Sequence, residues 1–245
     1  VLTALVAALC GYAVAALTGV RPPWVAIAST VSPMLSLGAT LEVTAACVAM
    51  ALAFCLLLDL VRRASLGPLA RPVPRAVAGG LLVAVIMTAL DVPWLGGTGE
   101  LLMSAAFGGG VPASAFALKA LLTLLVLGAG YKGGEIMPVM SIGAALGCTV
   151  GTLVGVHPGG CAAIGLVAML SACTNAPLAS ALLGMEAFGA AMGPQFLLAA
   201  LLAHLLTLYM GLYPANRMPS LRALLRSYRR RVDPRNACAR PDDRS

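Results

Sequence analysis

Seven apolar segments take up most of this chain and constrain its fold more than any other feature. A helix that crosses a bilayer needs roughly 20 apolar residues, and several of the segments reach that length. Of the 245 residues, 60% are hydrophobic and only 10% are charged, whereas a soluble domain carries about 25% charged residues. The sequence therefore predicts an all-α polytopic membrane protein. The predicted segments are Val1–Leu17, Leu41–Val61, Ala76–Leu90, Ser114–Leu127, Val139–Val156, Cys161–Gly184 and Pro194–Leu212.

Several of these segments are short or interrupted, which favours broken helices. Asn175-Ala176-Pro177 interrupts the sixth segment, because a proline ends or kinks a helix. Val20–Ser32 and Asp91–Pro112 are rich in Pro and Gly and are predicted to be loops or re-entrant pieces. Interrupted apolar segments are typical of transporters in which half-helices meet near the bilayer midplane and hold an ion.

The positive charge is concentrated in two places. Nine of the sixteen Lys and Arg residues follow Asn216, and a second cluster consists of Arg62, Arg63, Arg71 and Arg75. Because basic residues flank membrane spans on the cytoplasmic side, both clusters are predicted to lie there. Residues 1–216 are thus expected to form a transmembrane domain and residues 217–245 a basic cytoplasmic tail, with a short helix at Leu221–Arg231. A nucleic-acid partner is not predicted, since the tail flanks a membrane domain.

The cysteines and histidines give no pattern of metal ligands. The seven cysteines are scattered without a C-x-x-C pair, and six of them lie in apolar segments, where free thiols behave as small hydrophobic groups. His157 is predicted to be a loop residue and His204 a packed, hydrogen-bonded one. No nucleophile and base stand together, so the sequence predicts neither a metal, a cofactor nor an enzyme.

The segment Gly130-Tyr131-Lys132-Gly133-Gly134-Glu135-Ile136-Met137-Pro138 lies between two apolar runs. Irregular backbone at membrane depth is tolerated only where it is buried in protein or lines a watery cavity. Pro138 suits the first turn of a helix, whose free N–H groups and dipole favour an anion. Glu135 is an acid at membrane depth, where such residues often carry protons. It has two structural alternatives, an ion pair with Lys132 or a cap on the helix start.

Four blocks, in the same order, resemble the CLC family of chloride channels and proton-coupled halide antiporters. The first is similar to the family's Gly-x-Phe-x-Pro filter segment, the second to the helix that continues it, the third to a later helix pair joined by an Ala-Pro-Leu turn, and the fourth to the segment with an anion-coordinating tyrosine. These blocks are Gly133–Pro138, Ser141–Gly147, Gly165–Ala179 and Gly211–Tyr213, and Leu95–Gly99 resembles the family's Gly-rich lead-in to the span before the filter.

The resemblance implies the C-terminal half of an inverted-repeat fold with broken and re-entrant helices. It implies an anion held at Gly134, Glu135, Ile136 and Met137 and by the Tyr213 hydroxyl, in a homodimer with one pore per subunit, in the plasma membrane of a bacterium. From position alone, Tyr213 has the alternative of an interfacial tyrosine. The family's first filter loop and gating glutamate belong to its first half, and neither motif occurs in this sequence.

Two departures from the family pattern leave the ion and the mechanism open. Ile136 stands where common chloride-selective members have Phe, and Glu135 resembles a bacterial branch that includes fluoride/proton antiporters. The expected function is therefore transport of chloride or fluoride, by a voltage-gated-type channel or by a proton-coupled antiporter. The alternatives are a truncated or split fragment without transport of its own, and an unrelated polytopic membrane enzyme. Glu186, near the end of an apolar segment, is expected to make a structural hydrogen bond.

Overall fold

A computed structural model describes residues 2–19, 35–64, 72–131, 133–207 and 211–212, and the regular elements in those ranges are all helical. The helices are α1 (Leu2–Thr18), α2 (Leu37–Ala64), α3 (Pro72–Ala89), α4 (Glu100–Phe107), α5 (Ala115–Gly128), α6 (Ile136–Val154), α7 (Pro158–Thr174), α8 (Pro177–Phe188) and α9 (Gly193–Thr207). Two short 3-10 helices, Pro93–Leu95 and Ala190–Met192, precede α4 and α9. The predicted all-α class is confirmed.

Helix α7 lies at the centre of the packing. Each of its residues from Gly159 to Cys173 is buried, and α2, α4, α6, α8 and α9 all contact it. A helix that is apolar on every side is either buried in protein or exposed to lipid, and α7 is buried in protein. The other helices therefore form a shell around α7, and α6 makes the most extensive contact with it.

The contact between α6 and α7 is made through glycines. A Cβ atom added to Gly147 would collide with the carbonyl group of Cys161, and one added to Gly165 would collide with the carbonyl group of Gly143. Small residues let helix backbones approach closely in membranes, where dispersion contacts replace the hydrophobic driving force. The glycines thus allow the backbones of α6 and α7 to pack in direct contact.

Three helical stretches within the described ranges are long and apolar enough to cross a membrane, and five shorter apolar helices accompany them. The three are Leu37–Arg62, Ile136–Val154 and Ala190–Thr207. The shell helices expose large apolar side chains such as Leu81, Leu182 and Leu205. Such a surface suits lipid contact, in agreement with an integral, multi-pass membrane protein.

The helix break at Asn175-Ala176-Pro177 is confirmed. Asn175 ends α7 with a φ of 56°, in the left-handed region that a helix C-terminus often uses. Pro177 is the first residue of α8, where its missing N–H removes no helical hydrogen bond.

Two predicted segments differ from the structure. Asp91–Pro112, predicted to be a loop or a re-entrant piece, contains the helix α4, which buries Leu102, Met103, Ala106 and Phe107 on one side. The last apolar segment does not continue as helix to Leu212, because Gly211 and Leu212 have non-helical backbone and Leu212 returns to the core. Val20–Ser32, the helix at Leu221–Arg231 and the tail 217–245 lie outside the described residues.

Candidate functional site

Helix α6 begins at Ile136, with Glu135 as its N-cap residue. The first regular bond runs from the Val139 N–H to the Glu135 carbonyl oxygen, 3.3 Å away. The N–H groups of Glu135, Ile136 and Met137 donate to no acceptor among the described residues, and Pro138 has no N–H. Unpaired N–H groups and the positive end of the helix dipole therefore meet at one point.

A pocket of about 510 Å³ opens at this helix start and is called here the α6 pocket. It is lined by Arg62, Gly133, Gly134, Glu135, Ile136 and Met137, among others. One water molecule takes about 30 Å³ of liquid volume, so the pocket can accept a small ion together with part of its hydration shell.

Arg62 and Glu135 form an ion pair across the α6 pocket. An Arg62 guanidinium nitrogen donates to the Glu135 carboxylate at 2.9 Å, and the two side chains are 37% and 16% exposed. Arg62 comes from the last turn of α2 and Glu135 from the residue before α6. Because the two charges cancel, neither strongly repels nor traps an anion in the pocket.

The pairing with Arg62 was not among the structural alternatives predicted for Glu135. The Glu135 side chain makes no capping hydrogen bond to the helix, and Lys132, the expected partner, lies outside the described residues. Arg62 was expected to serve only as a cytoplasmic flanking charge. It is 73 positions from Glu135 in sequence, so no local spacing could have indicated the contact.

Two further contacts hold the segment before α6 in place. Arg75, from the same basic cluster, donates through Nε to the Ala129 carbonyl oxygen at 3.1 Å. The Tyr131 hydroxyl donates to the Ala76 carbonyl oxygen at 3.0 Å. Helix α3 therefore anchors both ends of the turn that leads into the α6 pocket.

A separate apolar cavity of about 190 Å³ lies on another side of Ile136 and Met137. Its walls include Met103, Phe107 and Phe188, and the rings of Phe107 and Phe188 have centroids 5.0 Å apart. The predicted filter residues Ile136 and Met137 thus line both the α6 pocket, which contains the ion pair, and an apolar cavity.

The segment that leads to Tyr213 is tied to the end of α7. The Leu212 N–H donates to the Cys173 carbonyl oxygen at 2.8 Å, and the Leu212 side chain is buried. Tyr213, the next residue in the chain and a predicted anion ligand, lies outside the described residues.

The remaining predicted polar residues have structural roles or lie apart from the α6 pocket. His157 is a non-helical residue, as predicted, and its Nδ1 accepts the Gly160 N–H at 3.3 Å, which caps α7. His204 is half-buried, but its Nδ1 finds no partner in the described part of the chain, contrary to the prediction. Glu186 is exposed, and its predicted structural hydrogen bond does not form with any described residue.

Three comparisons relate the chain to known proteins. Residues 1–208 match the family model described as voltage gated chloride channel. The chain is 34% identical to a chloride/fluoride channel protein of Pseudomonas syringae pv. tomato, over 59% of this chain and 33% of that protein. It is 36% identical to an uncharacterized protein of Methanocaldococcus jannaschii, over 47% of this chain and 30% of that protein.

The crystal structure of a CLC-type fluoride/proton antiporter shares the fold. Its TM-score is 0.69 at 24% identity, over 76% of this chain and 48% of that one. The all-α architecture of the chain is therefore of the CLC type. The chain matches only about a third of the length of its two curated relatives.

Proposed function

Because the chain belongs to the voltage gated chloride channel family, we propose that it provides part of a transport path for a small halide ion. The observation that supports this most directly is the α6 pocket, where unpaired N–H groups, a helix dipole and a neutralised ion pair meet. The Pseudomonas relative carries the name chloride/fluoride channel protein, so chloride and fluoride are the proposed ions. Membership of a channel family also removes the alternative of an unrelated membrane enzyme.

The proposed anion site consists of the backbone at Gly134, Glu135, Ile136 and Met137, with the Tyr213 hydroxyl as a further donor. Each hydrogen bond to a charged group contributes about 1.5–3 kcal/mol net. A few such bonds can replace part of a hydration shell and still let the ion leave. Residues 1–216 are proposed to form the transport domain and residues 217–245 the cytoplasmic tail.

We further propose that Glu135 couples the anion to a proton through Arg62. When Glu135 is ionised it pairs with Arg62, and the charge of Arg62 is neutralised. When a proton binds to the carboxylate, the pair loses its attraction and Arg62 presents a free positive charge to the pocket. Protonation of Glu135 and anion binding therefore favour each other, because the coupling between two binding sites is reciprocal.

The test is flux of chloride, fluoride and protons in liposomes that contain the complete protein, with Glu135→Gln as the variant. We expect an anion gradient to drive proton movement in the wild type, and Glu135→Gln to abolish that movement while anion flux persists. Glu42→Gln is the matched control, since Glu42 is an exposed acid of α2 outside the α6 pocket.

The other outcomes separate the alternatives. Passive anion flux that is the same in the wild type and in Glu135→Gln would indicate a channel. Glu135 would then be only a structural partner of Arg62. The absence of anion flux from the complete protein would contradict the transport function itself.

A homodimer with one pore per subunit is also proposed from the family resemblance. Single-molecule photobleaching in lipid counts the subunits in each complex.

A further inference from the structure

Lys119 is a buried cation for which the described residues provide no acidic partner. It lies one turn into α5 and is 3% exposed. The Arg62–Glu135 ion pair does not include Lys119. An unpaired charge inside a membrane protein is costly, and ionisable residues at such positions commonly mark ion pathways.

The ammonium group is held by two backbone carbonyls. Lys119 Nζ donates to the Leu95 carbonyl oxygen at 2.7 Å and to the Gly97 carbonyl oxygen at 2.9 Å. A lysine ammonium has three N–H donors, so one is left over for another acceptor. The carbonyl dipoles solvate the charge partly, but they do not neutralise it.

The lysine stem is fixed in position by the surrounding backbone. Gly99, with a φ of 87°, has no room for a side chain, because a Cβ there would collide with Ser141 and would lie 3.1 Å from Lys119 Cε. Gly99 is the N-cap residue of α4, and Ser141 belongs to α6. Residues of α4 and α6 therefore confine the Lys119 side chain, and Lys119 lines one cavity together with Leu95 and Gly97, whose carbonyl groups bind its ammonium group.

That cavity, called here the Lys119 cavity, has a volume of about 290 Å³. Its lining includes Lys119, Gly97, Thr98 and Val126, and also Gly133 and Gly134, which line the α6 pocket as well. The two spaces thus share the wall formed by the segment before α6. An ion beside Lys119 would be next to the proposed transport site without occupying it.

We propose that the Lys119 cavity is a second anion site, which binds a small inorganic anion such as a halide through the free ammonium donor. This inference rests on the proposed function. It assigns Lys119 the role of an anion ligand that exchanges its ion with the α6 pocket past Gly133 and Gly134. The competing role is a purely structural tie between Lys119 and the turn at Leu95–Gly97.

The direct test is anomalous diffraction from crystals of the complete protein grown or soaked with bromide. We expect one bromide peak in the α6 pocket and a second in the Lys119 cavity, in contact with Nζ. A peak in the α6 pocket alone would overturn the second site and leave the proposed function standing. No peak at either place would contradict both.

Three variants separate anion binding from a structural tie. We expect Lys119→Gln to remove the second bromide peak and to raise the anion concentration for half-maximal flux about tenfold, whereas Lys119→Arg, which keeps the charge, restores both. Val126→Phe fills the cavity and leaves Lys119 in place, so it tests the site even if Lys119→Gln does not fold. It should abolish the second peak but keep the first. A second peak that persists in Val126→Phe and Lys119→Gln would overturn the assignment.

Discussion

At the scale of single residues, the sequence identifies Glu135 but not its surroundings. An acid beside glycines between two apolar runs is conspicuous, because a charge at membrane depth is costly. Its partner Arg62 could not be predicted, since the contact depends on where α2 ends in space. Lys119 carried the same kind of signal as Glu135, a charge within an apolar run, and was missed because no motif surrounds it.

The Arg62–Glu135 pair is expected to stabilise the fold only slightly. Arg62 is 37% exposed, so solvent screens the pair and its coupling free energy should be about 0.2–1 kcal/mol. Thermal unfolding of Arg62→Gln, Glu135→Gln and the double variant measures this coupling. A coupling free energy above about 3 kcal/mol would mean that the pair mainly stabilises the fold. It would argue against the proposed role of the pair in proton transport.

Tyr213→Phe tests the proposed hydroxyl ligand. The change removes one hydrogen bond to a charged ion, a loss of about 1.5–3 kcal/mol, so the anion affinity should fall by roughly 10- to 150-fold. Calorimetric titration of the purified protein with halide measures the affinity. An unchanged affinity would assign Tyr213 to the membrane interface instead.

At the scale of elements, the helix break was predictable and the short helix was not. Asn175-Ala176-Pro177 is a local pattern whose backbone preference is strong enough to decide the outcome. Helix α4 is only eight residues long and lies among glycines and prolines, so its local pattern resembles that of a loop. Its formation depends on burial of Leu102 and Phe107 against other helices, which is a long-range effect.

The glycine contact between α6 and α7 should tolerate no added methyl group. In Gly147→Ala the new Cβ would meet the Cys161 carbonyl, and overpacking of this kind costs about 1–3 kcal/mol. Gly38→Ala in α2 is the control, because nothing lies within 4 Å of its Cβ position, and alanine there should be neutral or stabilising by up to about 1 kcal/mol. Denaturation in detergent compares the stabilities of Gly147→Ala and Gly38→Ala. Equal stabilities would contradict the close approach of the two backbones.

At the scale of the whole molecule, composition predicted the class of protein but not its arrangement. Apolar residues on every side of α7 leave no periodic pattern that says which neighbours enclose it. The family resemblance predicted the CLC fold, and the likeness to the antiporter structure confirms it. The packing of α2 and α6 against the same central helix emerges only in three dimensions.

Hydrogen exchange should report the central position of α7. Because its residues from 159 to 173 are buried in protein, their amides should exchange more slowly than those of α3, whose side chains are half-buried or exposed. Mass spectrometry of the protein in nanodiscs and in detergent makes the comparison, and the order should be the same in both. Faster exchange of α7 in detergent would contradict a protein-enclosed core.

The hydrogen bond between Leu212 and Cys173 means that α7 sets the distance between α6 and the segment that leads to Tyr213. Gly165 of α7 contacts α6, and the carbonyl group of Cys173 accepts a hydrogen bond from Leu212, the residue before Tyr213. The eight residue steps from Gly165 to Cys173 correspond to about 12 Å of helical rise, since each step adds about 1.5 Å and 100° of rotation. Deletion of a single residue inside this interval would therefore shorten α7 and rotate its C-terminal end. The attachment point of Leu212 would then shift relative to α6, although every residue proposed to contact the ion would still be present.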